Sequence, residues 1–156
     1  MKNLSLLLAV ILISATFSFA QKLTLTKTFE QAISQATANQ KPVFLIIEAI
    51  GIKPPSNLPQ SVNVNFKSGI DDRDIIAKIN ANFVVYKTGM TDTTIVSVLR
   101  SANIKSFPAY IFMHSNRDVF YKDFGSSTFV KKYDTMLEKA LIASKEKICI
   151  GICKRL

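Results

Sequence analysis

The chain has 156 residues, 48% of them hydrophobic, which is enough for one domain with a proper core and excludes disorder for its bulk. Its formal net charge is +9, but the bases are scattered apart from Lys131-Lys132 and the carboxyl end. There is no RNA-stacking motif and no zinc-finger spacing, so nucleic acid is not an expected partner. The basic excess reads as a solvated surface, with an attraction for anionic partners as the sharper alternative.

Residues 1–20 hold one base, Lys2, then an apolar run over 6–13, then Ser18-Phe19-Ala20. A basic start, a greasy middle and small residues at minus three and minus one predict a secretory signal cut before Gln21. The apolar run is short for a spanning helix, and no cysteine near the cut offers a lipid attachment site. The expected product is exported, periplasmic or secreted, with no integral membrane segment after cleavage. Three parts follow: a signal peptide at 1–20, a folded domain at 21–147 and a short basic cysteine-containing tail at 148–156.

Residues 22–26 alternate, with Leu23 and Leu25 on one side, and read as a short leading strand. Thr28 is a candidate N-cap with Gln31 three residues on, and Phe29, Ala32, Ile33 and Ala36 follow at helical spacing to about Asn39. Val43-Phe44-Leu45-Ile46-Ile47 is an unbroken apolar run bounded by turn signals, the pattern of a strand covered on both faces. Beyond it, Pro54, Pro55 and Pro59 forbid a regular helix before Gln60. Residues 61–67 alternate Val62, Val64 and Phe66 with polar residues, as an edge strand or extended loop would.

Asp71 or Asp72 opens the next helix, with Ile75, Ile76 and Ile79 on one face. Residues 83–86 form a second apolar strand. Asp92 can cap a helix carrying Ile95, Val96, Leu99 and Ala102. Residues 109–113 form a third strand, Ser115-Asn116-Arg117-Asp118 a hairpin turn, and 119–124 the returning strand, ended by Gly125. On it Tyr121, Lys122 and Asp123 read as solvent-side alternation. Ser126 or Ser127 caps a long last helix with Phe129, Val130, Tyr133, Met136, Leu137, Ala140 and Leu141 inward. This order predicts an α/β fold: a central mixed sheet with helices on both faces.

At this point the chain resembles the thioredoxin-like superfamily, in particular exported thioredoxin-like domains. The resemblance is carried by Phe29-Glu30-Gln31-Ala32 through Lys41-Pro42-Val43, by the helix ending Ile79-Asn80-Ala81-Asn82-Phe83, and by Ser106-Phe107-Pro108-Ala109-Tyr110 with its hairpin and glycine. It implies a three-layer α/β/α sandwich and places the family's cis-proline at Pro108. It also places the family's two-cysteine motif on Gly51-Ile52-Lys53-Pro54-Pro55, where Ile52 and Pro55 stand at the cysteine positions. Thiol exchange needs a thiolate and a resolving thiol, and neither residue can be one. Glu48, which lies near the family's buried acid, then has no thiol to deprotonate and is expected to reach solvent or pair with a lysine.

The two cysteines, Cys149 and Cys153, lie near the carboxyl end. In an exported chain they invite a disulfide that closes the tail or joins two chains. A displaced redox pair is the alternative; two thiols alone make a poor metal site. His114, the one histidine, reads as a strand-end surface residue. The leading functional expectation is a redox-inactive exported module that needs no cofactor and no metal. It would bind a protein or peptide in a groove near Ile52, Lys53, Pro54, Pro55, Phe107 and Pro108. The alternative is a thiol-disulfide oxidoreductase working through Cys149 and Cys153.

Overall fold

A computed structural model describes residues 22–49, 68–104 and 106–153, with side chains described through Glu146. The predicted signal peptide, the 61–67 strand and the groove residues Ile52, Lys53, Pro54 and Pro55 lie outside the described residues. In chain order the elements are α1 (Phe29–Asn39), β1 (Val43–Glu48), α2 (Arg73–Asn82), β2 (Val84–Gly89), α3 (Val96–Ala102), β3 (Ala109–Met113), β4 (Val119–Phe124) and α4 (Val130–Cys153). Short 3-10 turns, Gly69–Asp71 and Thr93–Ile95, lead into α2 and α3.

The sheet order is β2-β1-β3-β4. β1 runs parallel to β2 and antiparallel to β3, and β3 pairs antiparallel with β4. The unbroken apolar run of β1 is explained by its neighbours. Val43, Leu45 and Ile47 pack under Phe29, Ala32 and Ala36 of α1 and Val98 and Ala102 of α3. Phe44 and Ile46 pack under Ile75 and Ile79 of α2 and Tyr133, Met136 and Leu137 of α4. Alternate residues of one strand thus serve two cores, and the architecture is the three-layer α/β/α sandwich with a mixed sheet. On the α2/α4 side Phe44 stacks on Phe112 of β3 at 4.4 Å between ring centroids, 4° from parallel.

The caps follow the sequence. The Thr28 hydroxyl accepts from the Gln31 amide nitrogen, and the helix ends at Gln40 in the left-handed region, φ 52°. Asp72 caps α2 by accepting from the Asp74 and Ile75 N–H groups. The hairpin turns where expected, with Arg117 at φ 70° and its guanidinium on Glu30 at 2.8 Å.

Four expectations need correction. Residues 22–26 make no strand, only the single parallel bridge of Leu25 to Val85. The reason is the Asn80 carboxamide, which accepts from Thr24 N–H and donates to the Lys22 carbonyl, doing the work a strand partner would do. Asp92 caps the 3-10 turn rather than α3 itself, so the inward face is Ile95, Val98 and Ala102 while Val96 turns out. Phe129 and Val130 are 76% and 40% exposed. Ser127 accepts from the Phe129 N–H, and the backbone there is pressed against Gly69, so the inward face of α4 starts at Tyr133. Tyr121 is half-buried against Phe112, 5.8 Å between centroids, rather than on the solvent side.

The Gly69 contact is close. A Cβ at residue 69 would stand 2.8 Å from the Phe129 carbonyl carbon and 2.9 Å from the Val130 nitrogen. Gly69 also donates to the Ser127 carbonyl at 2.9 Å. Beside this contact the buried Tyr133 hydroxyl accepts from the Ser127 N–H at 3.0 Å and lies 3.1 Å from the Ser68 hydroxyl and 3.3 Å from the Tyr110 hydroxyl. One phenol oxygen therefore joins β3, α4, the turn before α4 and the segment that enters α2.

The outer edge of β4 is closed at one end. Phe124 sits opposite Ala109 with Gly125 donating to the Pro108 carbonyl, so the N–H and C=O of Phe124 point away from β3. The Asp123 carboxylate accepts that N–H at 2.7 Å, and the Lys132 ammonium donates to that carbonyl at 2.9 Å. Nearby the Lys122 ammonium donates to the Ala102 carbonyl at the end of α3.

Asp92 does more than cap. Burial acts to raise its pKa, but hydrogen bonds from the hydroxyls of Thr94, Tyr86 and Thr88 and from the Thr94 N–H outweigh it and hold the carboxyl at about 2. The folded value lies below the ordinary 3.8. The stabilisation is therefore complete above about pH 4 and is lost as pH falls through 2. In urea unfolding, Asp92→Asn is expected to cost on the order of 1–2 kcal/mol at pH 7, and the gap to the parent should close towards pH 2. A gap independent of pH would exclude the carboxylate charge as its source. Gly69→Ala should cost about 1–3 kcal/mol, because backbone rather than a flexible side chain must give way. Tyr133→Phe should cost a similar amount by leaving the Ser127 N–H without its acceptor. Loss below about 0.5 kcal/mol in either variant would show that the contact can relax without cost.

Candidate functional site

The carboxyl end of β1 sets the site. There Ile47 lies opposite Ala109 at the start of β3, which puts Phe107 and Pro108 beside the point where the chain leaves β1. The Phe107–Pro108 peptide is cis. The Pro108 carbonyl is engaged by the Gly125 N–H at 2.8 Å. Both residues are half-buried, and Phe107 packs against the α1/α3 core. Of the six groove residues expected from the sequence, these two are described and adjoin the end of β1.

Among the described residues at this pole, the acids Glu48 and Asp92 both have partners. Glu48, the last residue of β1, meets Lys87 of β2 at 2.7 Å, the lysine pairing expected for it. The Met90 N–H donates to the Glu48 carbonyl at 3.1 Å. The Tyr86 and Thr88 hydroxyls both donate to one Asp92 oxygen, at 2.7 and 2.8 Å. Burial raises the Tyr110 pKa well above its ordinary value, and the hydrogen bond to Tyr133 and the negative charges of Glu48 and Asp123 push the same way. Tyr110 is therefore a neutral hydrogen-bonding group, not a base. Among the described residues no group of three or more His, Cys, Asp or Glu side chains could hold a metal ion.

Ser68, the first described residue after 50–67, returns to the same pole, fastened to Tyr133 and Ser127. Ala49 and Ser68, the described residues on either side of 50–67, both stand at this end of the sheet. Sequence reasoning did not reach Ser68, Gly69, Asn80 or Tyr133 as anchors. Gly69 directly before the Asp71-Asp72 helix start was the one local signal available.

The opposite pole is built from the other ends of the same strands. Pro42, before β1, and His114, after β3, line one shallow cleft with Ser144 of α4. His114 is half-buried and its ring lies 4.6 Å from that of Phe120. Helix α4 thus runs from Tyr133 at the Pro108 pole to Ser144 at the His114 pole, and its backbone stays helical through Cys153. Positions 149 and 153 are not brought near Pro108. Among the described residues no helix is long and apolar enough to cross a membrane.

No protein-family model matches the chain, and no curated protein matches it. Solved structures do. A structure titled "DsbH Oxidoreductase" matches with a TM-score of 0.56 at 10% identity, covering 81% of this chain and 90% of that one. A putative disulphide-isomerase from Bacteroides thetaiotaomicron matches at 0.55 with 19% identity, covering 81% and 97%. A thioredoxin from Thermus thermophilus matches at 0.54 with 13% identity, covering 80% and 89%. At these identities the likeness concerns architecture, and it agrees with a mixed four-stranded sheet between two helical layers. The chain has the thioredoxin-like fold.

Proposed function

We propose that this chain is an exported, redox-inactive thioredoxin-like domain that binds an extended peptide or protein segment at the Pro108 pole. Export rests on the signal-like residues 1–20 and points to the periplasm or the exterior. The groove consists of Phe107 and Pro108 with Ile52, Lys53, Pro54 and Pro55 from the segment after β1. Recognition there rests on shape and apolar contact, since Glu48 is already paired with Lys87.

The observation that carries the reading is the course of helix α4, whose backbone carries positions 149 and 153. The names of similar structures include an oxidoreductase and a disulphide-isomerase, and disulfide exchange is the reaction for which a cysteine thiolate is needed. In this chain the two cysteines are residues 149 and 153. At 1.5 Å of rise per residue they lie about 24 and 30 Å along α4 from Tyr133, past Ser144 and the His114 pole. Thiol exchange needs an attacking sulfur in contact with the substrate disulfide, and the Pro108 pole has no cysteine in the sequence around it.

Two measurements test this. In an insulin-reduction assay the mature protein and its Cys149→Ser variant should both run at the uncatalysed rate; turnover that the variant abolishes would establish the oxidoreductase alternative through Cys149 and Cys153. Partners captured from an extracytoplasmic extract should be lost on Phe107→Ala and on Ile52→Asp. For a purified partner, affinity should fall about thirtyfold, the loss of one 2 kcal/mol anchor. Unchanged capture by both variants would remove the groove.

A further inference from the structure

A cleft of about 290 Å³ opens between α1 and residues 24–27, beside the start of β2. One wall is a row of carboxamides. Gln31, Gln35 and Asn39 all line it, at positions i, i+4 and i+8 of one helix face, so successive members stand about 6 Å apart. Lys27, just ahead of the Thr28 cap, and Lys41, just after the Gln40 C-cap, line it too. They mark its two ends, separated by the 11 residues of α1, about 16 Å of helix. No acid lines the cleft, and among the described residues neither lysine meets a carboxylate. Glu30, the one acid of α1, is held by Arg117.

We propose that this cleft binds a short, carboxylate-bearing oligosaccharide laid along α1. Two ammonium groups with no acid beside them select an anionic ligand. Their separation selects an elongated one, because a single small anion reaches only one of them. Between them the carboxamides both donate and accept, as sugar hydroxyls do, and their even spacing reads a chain of repeating units. The Gln31 carbonyl already accepts from the Lys27 N–H at 2.9 Å, which leaves its NH2 as a donor. Gln35 and Asn39 are exposed and make no hydrogen bond among the described residues, so both ends of each remain for a ligand. Leu25, 47% exposed on the facing wall, offers apolar surface for the C–H face of a sugar ring. Two other elongated anions fit less well. An acidic peptide added as a strand would need the Val85 carbonyl, which the Thr26 N–H and hydroxyl occupy. A nucleic-acid strand would need an open aromatic face for stacking, and Phe83, the one aromatic in the lining, is 3% exposed.

The test titrates the isotope-labelled mature chain with tetragalacturonate and follows the side-chain amide signals by NMR. The NH2 signals of Gln31, Gln35 and Asn39 are expected to move together and saturate, with an affinity that falls as salt is raised. Gln35→Glu, a near-isosteric change at an exposed position, should weaken binding about tenfold or more by replacing a donor with a like charge. Lys41→Gln should weaken it about fivefold, the loss of one exposed ion pair. Absence of saturating shifts at these amides would overturn the proposal, as would an affinity that both variants leave unchanged. Equal binding of galacturonic acid or inorganic phosphate would show a point-anion site instead of a chain site. Equal binding of the fully methyl-esterified tetramer would remove the charge requirement, and equal binding of tetraglutamate would assign the cleft to acidic peptides; either result overturns the proposal. None of these readouts involves Phe107 or Pro108, so this proposal and the groove fail separately.

Discussion

The burial of β1 on both faces and along both edges is the constraint from which the other placements follow. A strand with no solvent side has no polar positions to spare, so Val43 to Ile47 are all apolar and each must be met by something. Leu45 and its odd-numbered neighbours are met by α1 and α3, Phe44 and Ile46 by α2 and α4. Antiparallel β3 supplies Phe112 to stack on Phe44. The largest buried side chains among the described residues include Phe29, Phe44, Phe112 and Tyr133, and each belongs to one of the two cores that β1 serves. Full burial of each such side chain is worth roughly 1.5–3 kcal/mol, so the core energy is concentrated about a single strand. The same strand delivers the chain to the pole where Pro108 stands.

That pole is organised by polar groups that satisfy one another. Tyr133 brings a hydroxyl into a site too deep for free solvation, and it is tolerable because Ser127, Ser68 and Tyr110 surround it. No buried side-chain nitrogen or oxygen among the described residues is left without a partner. The outcome is a fastened frame at this end of the sheet, to which Ser68 is tied through Tyr133 and Ser127. A recognition surface needs such a frame more than it needs reactive groups, and among the described residues Glu48 is held in an ion pair with Lys87.

Much of the fold was legible because its signals are local. The double-sided strand, the Thr28 and Asp72 caps, the hairpin at Ser115-Asn116-Arg117-Asp118 and the Phe107-Pro108 head of β3 each lie within a few residues of chain. What was illegible depends on partners far away in sequence. Asn80 replaces a strand neighbour for residues 22–24, 58 positions from Lys22. Ser68 reaches Tyr133 across 65. Val96 and Phe129 are apolar and stand at plausible helical spacing, yet a 3-10 turn ahead of α3 and the Gly69 backbone contact ahead of α4 reset the phase and turn both outward. Of the groove, the proline and its preceding aromatic were read from sequence and stand at the end of β1. The site's chemistry was less legible than its shape, since the reading of Ile52 and Pro55 rests on a resemblance alone and both lie outside the described residues.

The closed end of β4 bears on how the protein behaves in a crowded compartment. An edge strand with a free N–H and C=O is a template on which a foreign strand can grow. At Phe124 both groups are occupied by side chains of the same molecule, Asp123 and Lys132. On the far edge, the Val85 carbonyl is taken by Thr26. At Phe124 a visiting chain would have to displace charged hydrogen bonds before forming neutral ones, an unfavourable exchange. The sheet is thereby guarded against runaway strand addition at two points on its rim, and association is directed to surfaces made of side chains rather than of exposed backbone.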